Sequence, residues 1–200
     1  MPPLHARFSK PRYRRWANRE TGASRFAALG ERSVVLPPAL ILNPELIRVG
    51  SGVHIHPGAF ISVVDHNEGK HYGGSLTIGD GVRIGFDMSI GCAGSIDIGD
   101  HVLTADRVFI GDTYHAYEDV TKPVIDQGLG DPRPVLIGSG AFLGINCAIL
   151  PGVTLGDGAY IGANAVVTKD VPAHSLAVGN PARVVRRFDG EQWVDVPREG

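Results

Sequence analysis

Cysteine is scarce in this chain. Cys92 and Cys147 are the only two, too few for a disulfide framework and too far apart for a CxxC metal or redox motif. A chain that carries so little thiol fits a reducing compartment, and a cytoplasmic location is expected. Long apolar runs are missing as well: none approaches the ~20 residues that span a bilayer, and the N-terminus lacks the apolar core of a signal peptide. Charge of either sign is not in excess, since the formal net charge is −2, so nothing draws the whole chain to nucleic acid or to an acidic membrane surface. Neither a nucleic-acid partner nor membrane insertion is expected. A local exception is the basic start, with Arg7, Lys10, Arg12, Arg14, Arg15, Arg19 and Arg25, which reads as a solvated segment that packs on a neighbour rather than as a nucleic-acid arm.

What the chain has in quantity is glycine and proline, 27 and 14 residues, and they are spaced. From position 137 the sequence divides into sixes: IGSGAF, LGINCA, ILPGVT, LGDGAY, IGANAV, VTKDVP. Each opens on an aliphatic residue, from Ile137 through Leu143, Ile149, Leu155 and Ile161 to Val167. Four places on stand Ala141, Cys147, Val153, Ala159, Ala165 and Val171, all small or modest in size. Gly, Asp, Asn and Ser fill the places between, where a chain turning a corner needs positive φ or local side-chain hydrogen bonds.

Neither a helical period nor strand alternation gives this spacing, but a hexapeptide solenoid does. Each hexad makes a short strand and a turn, and three hexads complete a triangular coil. Stacked coils bury the aliphatic ladder while their backbones pair. The frame is also present as VGSGVH and IHPGAF, then as IGDGVR, IGFDMS and IGCAGS, and after a slip at Ile96-Asp97 as IGDHVL, TADRVF and IGDTYH. One all-β domain over residues 1–200 is therefore expected. It divides into an N-terminal segment and cap at 1–48, repeat coils at 49–172 with insertions at 62–77 and 111–134, and a C-terminal tail at 173–200.

The insertion GDTYHAYEDVTKPVIDQGLGDPRP, residues 111–134, is the functional candidate, because a loop leaves a solenoid at little cost to the coils on either side. It carries His115 among Asp112, Tyr114, Tyr117, Glu118 and Asp119. An imidazole, with an ordinary pKa of ~6.5, can take a hydroxyl proton and later return it to a leaving group near neutral pH. A carboxylate would fix its tautomer, and Asp112 and Asp119 both stand as candidates.

AFLGINCAILPGVTLGDGAYIGANAVVTKDVP and AVGNPARVVRR, with DTYHAYEDVTKPVIDQG between coils, resemble the hexapeptide-repeat acyltransferases. Within them the chain is most similar to the sugar O-acetyltransferases, including the galactoside and maltose enzymes and those that decorate surface polysaccharides. The resemblance covers about residues 36–188 and implies a left-handed parallel β-helix, acetyl-CoA as acyl donor, a homotrimer with sites between subunits, and a small-molecule sugar acceptor. It assigns His115 the role of general base.

By match to the family, Gly144, Ala163, Thr168 and Lys169 lie along the coenzyme path. Lys169, Arg183 and Arg186 are of the right kind to meet its phosphates. For the acceptor, Asp87, Tyr114 and Tyr117 are candidates. Where the family's sugar-binding enzymes have an asparagine, this chain has Gly85. Acetylation of a hydroxyl on a sugar or polysaccharide precursor is the expected function. N-acetylation of an amino sugar and a non-catalytic trimeric scaffold are the alternatives. Cys147, in the small inward place of its hexad, reads as packing rather than as an acyl carrier.

HNEGKH, residues 66–71, has the look of a metal-ligand spacing. The γ-class carbonic anhydrases share the fold and bind zinc through three histidines, two of them five apart. Position 120, five beyond His115, is Val120, so that pair is missing and no metal is expected.

Overall fold

Each hexad places one short strand on a flat side of a three-sided prism, and strands from successive coils pair in parallel along each side. The computed structural model describes residues 10–197; Arg7 of the basic segment and the last three residues of the tail lie outside them. The first side is built from Ala28–Leu29, Ile47–Val49, Ser75–Ile78, Ser95–Ile98, Val135–Ile137 and Thr154–Leu155. The second begins with Val34–Val35, His54–Ile55, Arg83–Ile84, Leu103–Thr104, Phe142–Leu143 and Tyr160–Ile161. The third holds Ala39–Leu42, Ala59–Val63, Ser89–Cys92, Phe109–Gly111, Ala148–Ile149 and Val166–Val167.

Register makes the core. On the third side Ile41, Ile61, Ile90, Ile110, Ile149 and Val167 stand one above another, each paired with the next and all buried. Every such aliphatic removed from water contributes about 1.5–3 kcal/mol. The small inward residues Ala141, Cys147, Ala159 and Ala165 are buried beside them, near the corners. At one corner Asp87, Arg107, Asn146 and Asn164 all have positive φ. Arg107 Nε donates to Asn146 Oδ1 at 2.8 Å, and Asn146 Nδ2 to Asn164 Oδ1 at 3.1 Å. Gly144 precedes this column. A Cβ there would stand 2.7 Å from the Ala163 nitrogen, so the next coil can sit down only on a glycine.

The expected boundaries need correction at both ends. The solenoid begins at Ala28, not at 49, since the first three short strands are the end members of the three sheets. Their segment, LGERSVVLPPALIL, keeps a single glycine, Gly30, and has positive φ at Arg32, with Asn43 following; the edge of Val34–Val35 is covered by the helix α1, Pro11–Glu20. Asn18 of α1 is buried. Its Oδ1 accepts from the Val35 N–H at 2.8 Å, and its Nδ2 donates to the Ser33 carbonyl at 3.0 Å. The amide of a terminal strand thus finds a side-chain partner where no further coil exists. The basic residues Arg12, Arg15 and Arg19 are exposed, while Ala17 packs with Val34 and Leu36 of the first coil.

At the other end Ser175–Val178 adds a further parallel strand to the second side, past the expected limit of 172. The tail then folds back through Arg183–Phe188 and Trp193–Asp195 as antiparallel strands, with Trp193 against Phe188. Among the described residues no helix is long and apolar enough to cross a membrane.

Candidate functional site

The 111–134 insertion leaves the third side after Gly111 and returns at Val135, and its two limbs pair with each other. Arg133 N–H donates to the Asp112 carbonyl at 2.7 Å, Gly130 N–H to Tyr114 at 2.9 Å, and Ala116 N–H to Gly128 at 3.0 Å. His115 faces Leu129 across this ribbon. The tip is closed by Gln127, whose Nε2 donates to the carbonyls of Asp119 and Lys122, each at 2.9 Å. A second insertion, narrower than expected because strands reach Val63 and resume at Ser75, forms the hairpin His66–Asn67 with Lys70–His71. It braces the first. Tyr72 OH donates to the Leu129 carbonyl at 2.9 Å, and Lys70 Nζ meets Asp131 Oδ1 at 2.8 Å.

Between the overhanging ribbon and the outer surface of the third side lies a cavity of about 1090 Å³. Phe60 and Phe109 line it from the sheet, Tyr114, His115 and Tyr117 from the ribbon, and Thr168 from beyond the last strand. The Tyr114 and Tyr117 rings are 5.7 Å apart. Glu118 beside Tyr114 holds its phenol above the usual range.

The structure does not bring either proposed carboxylate onto His115. Asp112 is fully buried, and its two oxygens accept from Ala93 N–H at 2.8 Å and Gly94 N–H at 2.7 Å. It holds the chain reversal after Cys92. Asp119 accepts from Thr121 N–H at 3.0 Å and pairs with Lys122 at 3.1 Å, inside the tip. His115 is exposed, and among the described residues no carboxylate bonds it.

Of the residues expected to meet the coenzyme, Thr168 shares the cavity with His115, and Lys169 next to it in the chain is exposed. The space at Gly144 is filled by the neighbouring coil, and its N–H donates to the Ile161 carbonyl at 2.8 Å, so this glycine is explained by stacking. Ala163 differs: it is exposed at the corner, and its N–H has no partner among the described residues. Arg183 lines a separate cavity of about 460 Å³ with Gly179 and Pro197. Arg186 is committed elsewhere, to Asp195 at 3.1 Å and to the Trp193 carbonyl at 3.0 Å, because the tail folds back on itself.

Asp87 stands in the corner column, off the cavity, and so does not join Tyr114 and Tyr117. Gly85 cannot be exchanged for the family's asparagine in this coil. A Cβ there would run into the Ala105 carbonyl and stand 2.7 Å from Asp106 Oδ1. Burial pushes the Cys147 thiol up to about 12, and burial together with Asp112 does the same for Cys92. Neither thiol is a nucleophile near neutral pH. Phe60, Phe109 and Tyr72 were not singled out from the sequence. The two phenylalanines were findable, since each precedes an inward aliphatic and must point outward.

A parallel three-sided hexad solenoid with a histidine-bearing ribbon over an apolar cavity defines the class. The family model for the bacterial transferase hexapeptide (six repeats) matches residues 134–169. A probable acetyltransferase of Mycobacterium tuberculosis is 36% identical over 155 residues, covering 73% of this chain and 51% of that protein, so the chain spans about half the length of this relative. Galactoside O-acetyltransferase of Escherichia coli is 32% identical over 150 residues, 74% of this chain and 68% of that enzyme. Among solved structures, the N-acyltransferase AntD of Bacillus cereus, in complex with dTDP and 3-hydroxybutyryl-CoA, superposes with a TM-score of 0.70 at 21% identity, over 84% of this chain and 86% of that one. The chain belongs to the hexapeptide-repeat acetyltransferase family.

Proposed function

We propose that this protein moves the acetyl group of acetyl-CoA to a hydroxyl of a sugar or polysaccharide precursor, by direct transfer with His115 as general base. The observation that carries the reading is the placement of His115 and Thr168 on one cavity whose other walls are aromatic. In the transfer, an imidazole nitrogen of His115 takes the hydroxyl proton as the acceptor oxygen bonds to the thioester carbon. The C–S bond then breaks, and the proton passes to the departing thiolate, which leaves an ester and free coenzyme A. Both thiols of the chain are buried and protonated, which supports transfer without an acyl-enzyme. No step uses a metal.

The N–H of Ala163, an exposed residue, has no partner among the described residues and suits a carbonyl of the pantetheine arm, with Lys169 and Arg183 for the phosphates and the Tyr114 and Tyr117 faces for a sugar ring. Among the described residues His115 and Arg183 line separate cavities, which suits a homotrimer whose sites lie between subunits. The whole is one domain, its solenoid left-handed as in the family. Two unpaired buried cysteines suit the cytoplasm.

The test is release of free thiol from acetyl-CoA over a panel of sugars, nucleotide sugars and amino sugars. Acceptor-dependent release is expected, lowered ~10²–10⁴-fold in His115→Ala with coenzyme binding retained. Full activity in that variant would remove His115 from the mechanism. Mild alkali then separates an ester product, which is lost, from an amide, which survives and would move the reading to an amino acceptor.

A further inference from the structure

The hairpin that braces the catalytic ribbon carries a group of side chains that acetyl transfer does not use. Glu68 and Gly69 both have positive φ, at 48° and 78°, giving the tight two-residue turn that sets His66 directly opposite His71. Their rings lie 4.7 Å apart, centre to centre. Asp65, the residue before, meets both: its Oδ2 is 2.8 Å from His66 Nδ1 and its Oδ1 is 3.0 Å from His71 Nε2. The backbone of Asp65 is held in turn, since its carbonyl accepts from Tyr72 N–H at 2.7 Å.

We propose that Asp65, His66 and His71 form a zinc site. Two imidazole nitrogens and one carboxylate oxygen are a donor set that Zn²⁺ takes readily, and all three ligand atoms lie within 4.8 Å of one another. In a tetrahedral zinc centre neighbouring ligand atoms stand about 3.3 Å apart, so small side-chain rotations complete the geometry. His66 Nδ1 and His71 Nε2 both stand against the Asp65 carboxylate, so a cation would sit among the three. Both imidazoles are largely exposed, which leaves an entry path and a fourth position for water. The three residues lie off the cavity lining, so the ion would stiffen the brace through Tyr72 and Lys70 and take no part in the chemistry.

The test is calorimetric titration of Zn²⁺ into tag-free protein first stripped with a chelator. One ion per chain is expected. His66→Ala and His71→Ala should each weaken binding by more than the ~10–100-fold that loss of a mere outer-shell partner costs. Both side chains are exposed, so circular dichroism should show the wild-type fold in either variant. Co²⁺ in place of zinc should give the intense visible absorption of a four-coordinate ion in the wild type only. Absence of binding, or binding unchanged in both variants, overturns the site. Neither coenzyme nor acceptor is present, so the result is independent of acetyl transfer.

Discussion

The carboxylate of Asp112 accepts two backbone N–H groups in a place without access to water. Hydrogen bonds to a charged group contribute about 1.5–3 kcal/mol each, and removing the acceptor strands both donors. Asp112→Ala should therefore cost about 3 kcal/mol in a urea unfolding curve. The proposed thiol release by the folded protein should stay within a few-fold of wild type. Normal stability with collapsed turnover would instead return Asp112 to the catalytic machinery. Spacing alone put Asp112 three residues before the histidine and so within its reach. What decides is the Ala93–Gly94 turn, which comes from the coil below and takes both oxygens first.

At the scale of elements, α1 is attached through Asn18, whose single amide serves a donor and an acceptor of the first coil. Asn18→Ala leaves the Val35 N–H and the Ser33 carbonyl buried without those partners, at a cost of about 2–3 kcal/mol. Hydrogen exchange should then quicken in residues 11–20 and in the first coil, while the central coils keep their protection, because each coil leans only on its neighbours. Uniform loss of protection would contradict that picture. The coils themselves were legible, since Ile137 to Val167 repeat one local chemistry six residues apart. The first coil was not, because it keeps one glycine, Gly30, and turns at Arg32 and Asn43, whose positive φ the residue types do not announce. The ribbon was visible as an interruption, whereas its brace depends on Tyr72 meeting Leu129, 57 residues away in sequence.

The whole molecule carries a pH dependence on the second side of the prism. Burial lowers the pKa of His54 to about 4, with Arg83, His56 and Arg14 adding to it; burial also lowers that of His56. A histidine whose folded pKa lies below its unfolded value near 6.5 favours the folded state only while neutral. Stability from this source is complete above about pH 6.5 and is lost as pH falls toward about 4. Urea midpoints across that window should fall less steeply in His54→Ala than in the wild type. Equal slopes would place the acid sensitivity in other groups.

By itself the sequence determined the solenoid, its inward ladder, the position of the interruption and the one histidine within it. Those features are local: a hexad meets its own likeness in the coils above and below, so its composition already states its surroundings. Only the tertiary structure decided that the backbone claims Asp112, that Arg186 turns to Asp195, that Asp87 stands in a corner, and that Gly85 leaves no room for an asparagine. In each case the deciding partner lies on a different coil, in a different loop or in the folded-back tail. Which group reaches it first is set by the register of stacked coils and the path of the chain between them.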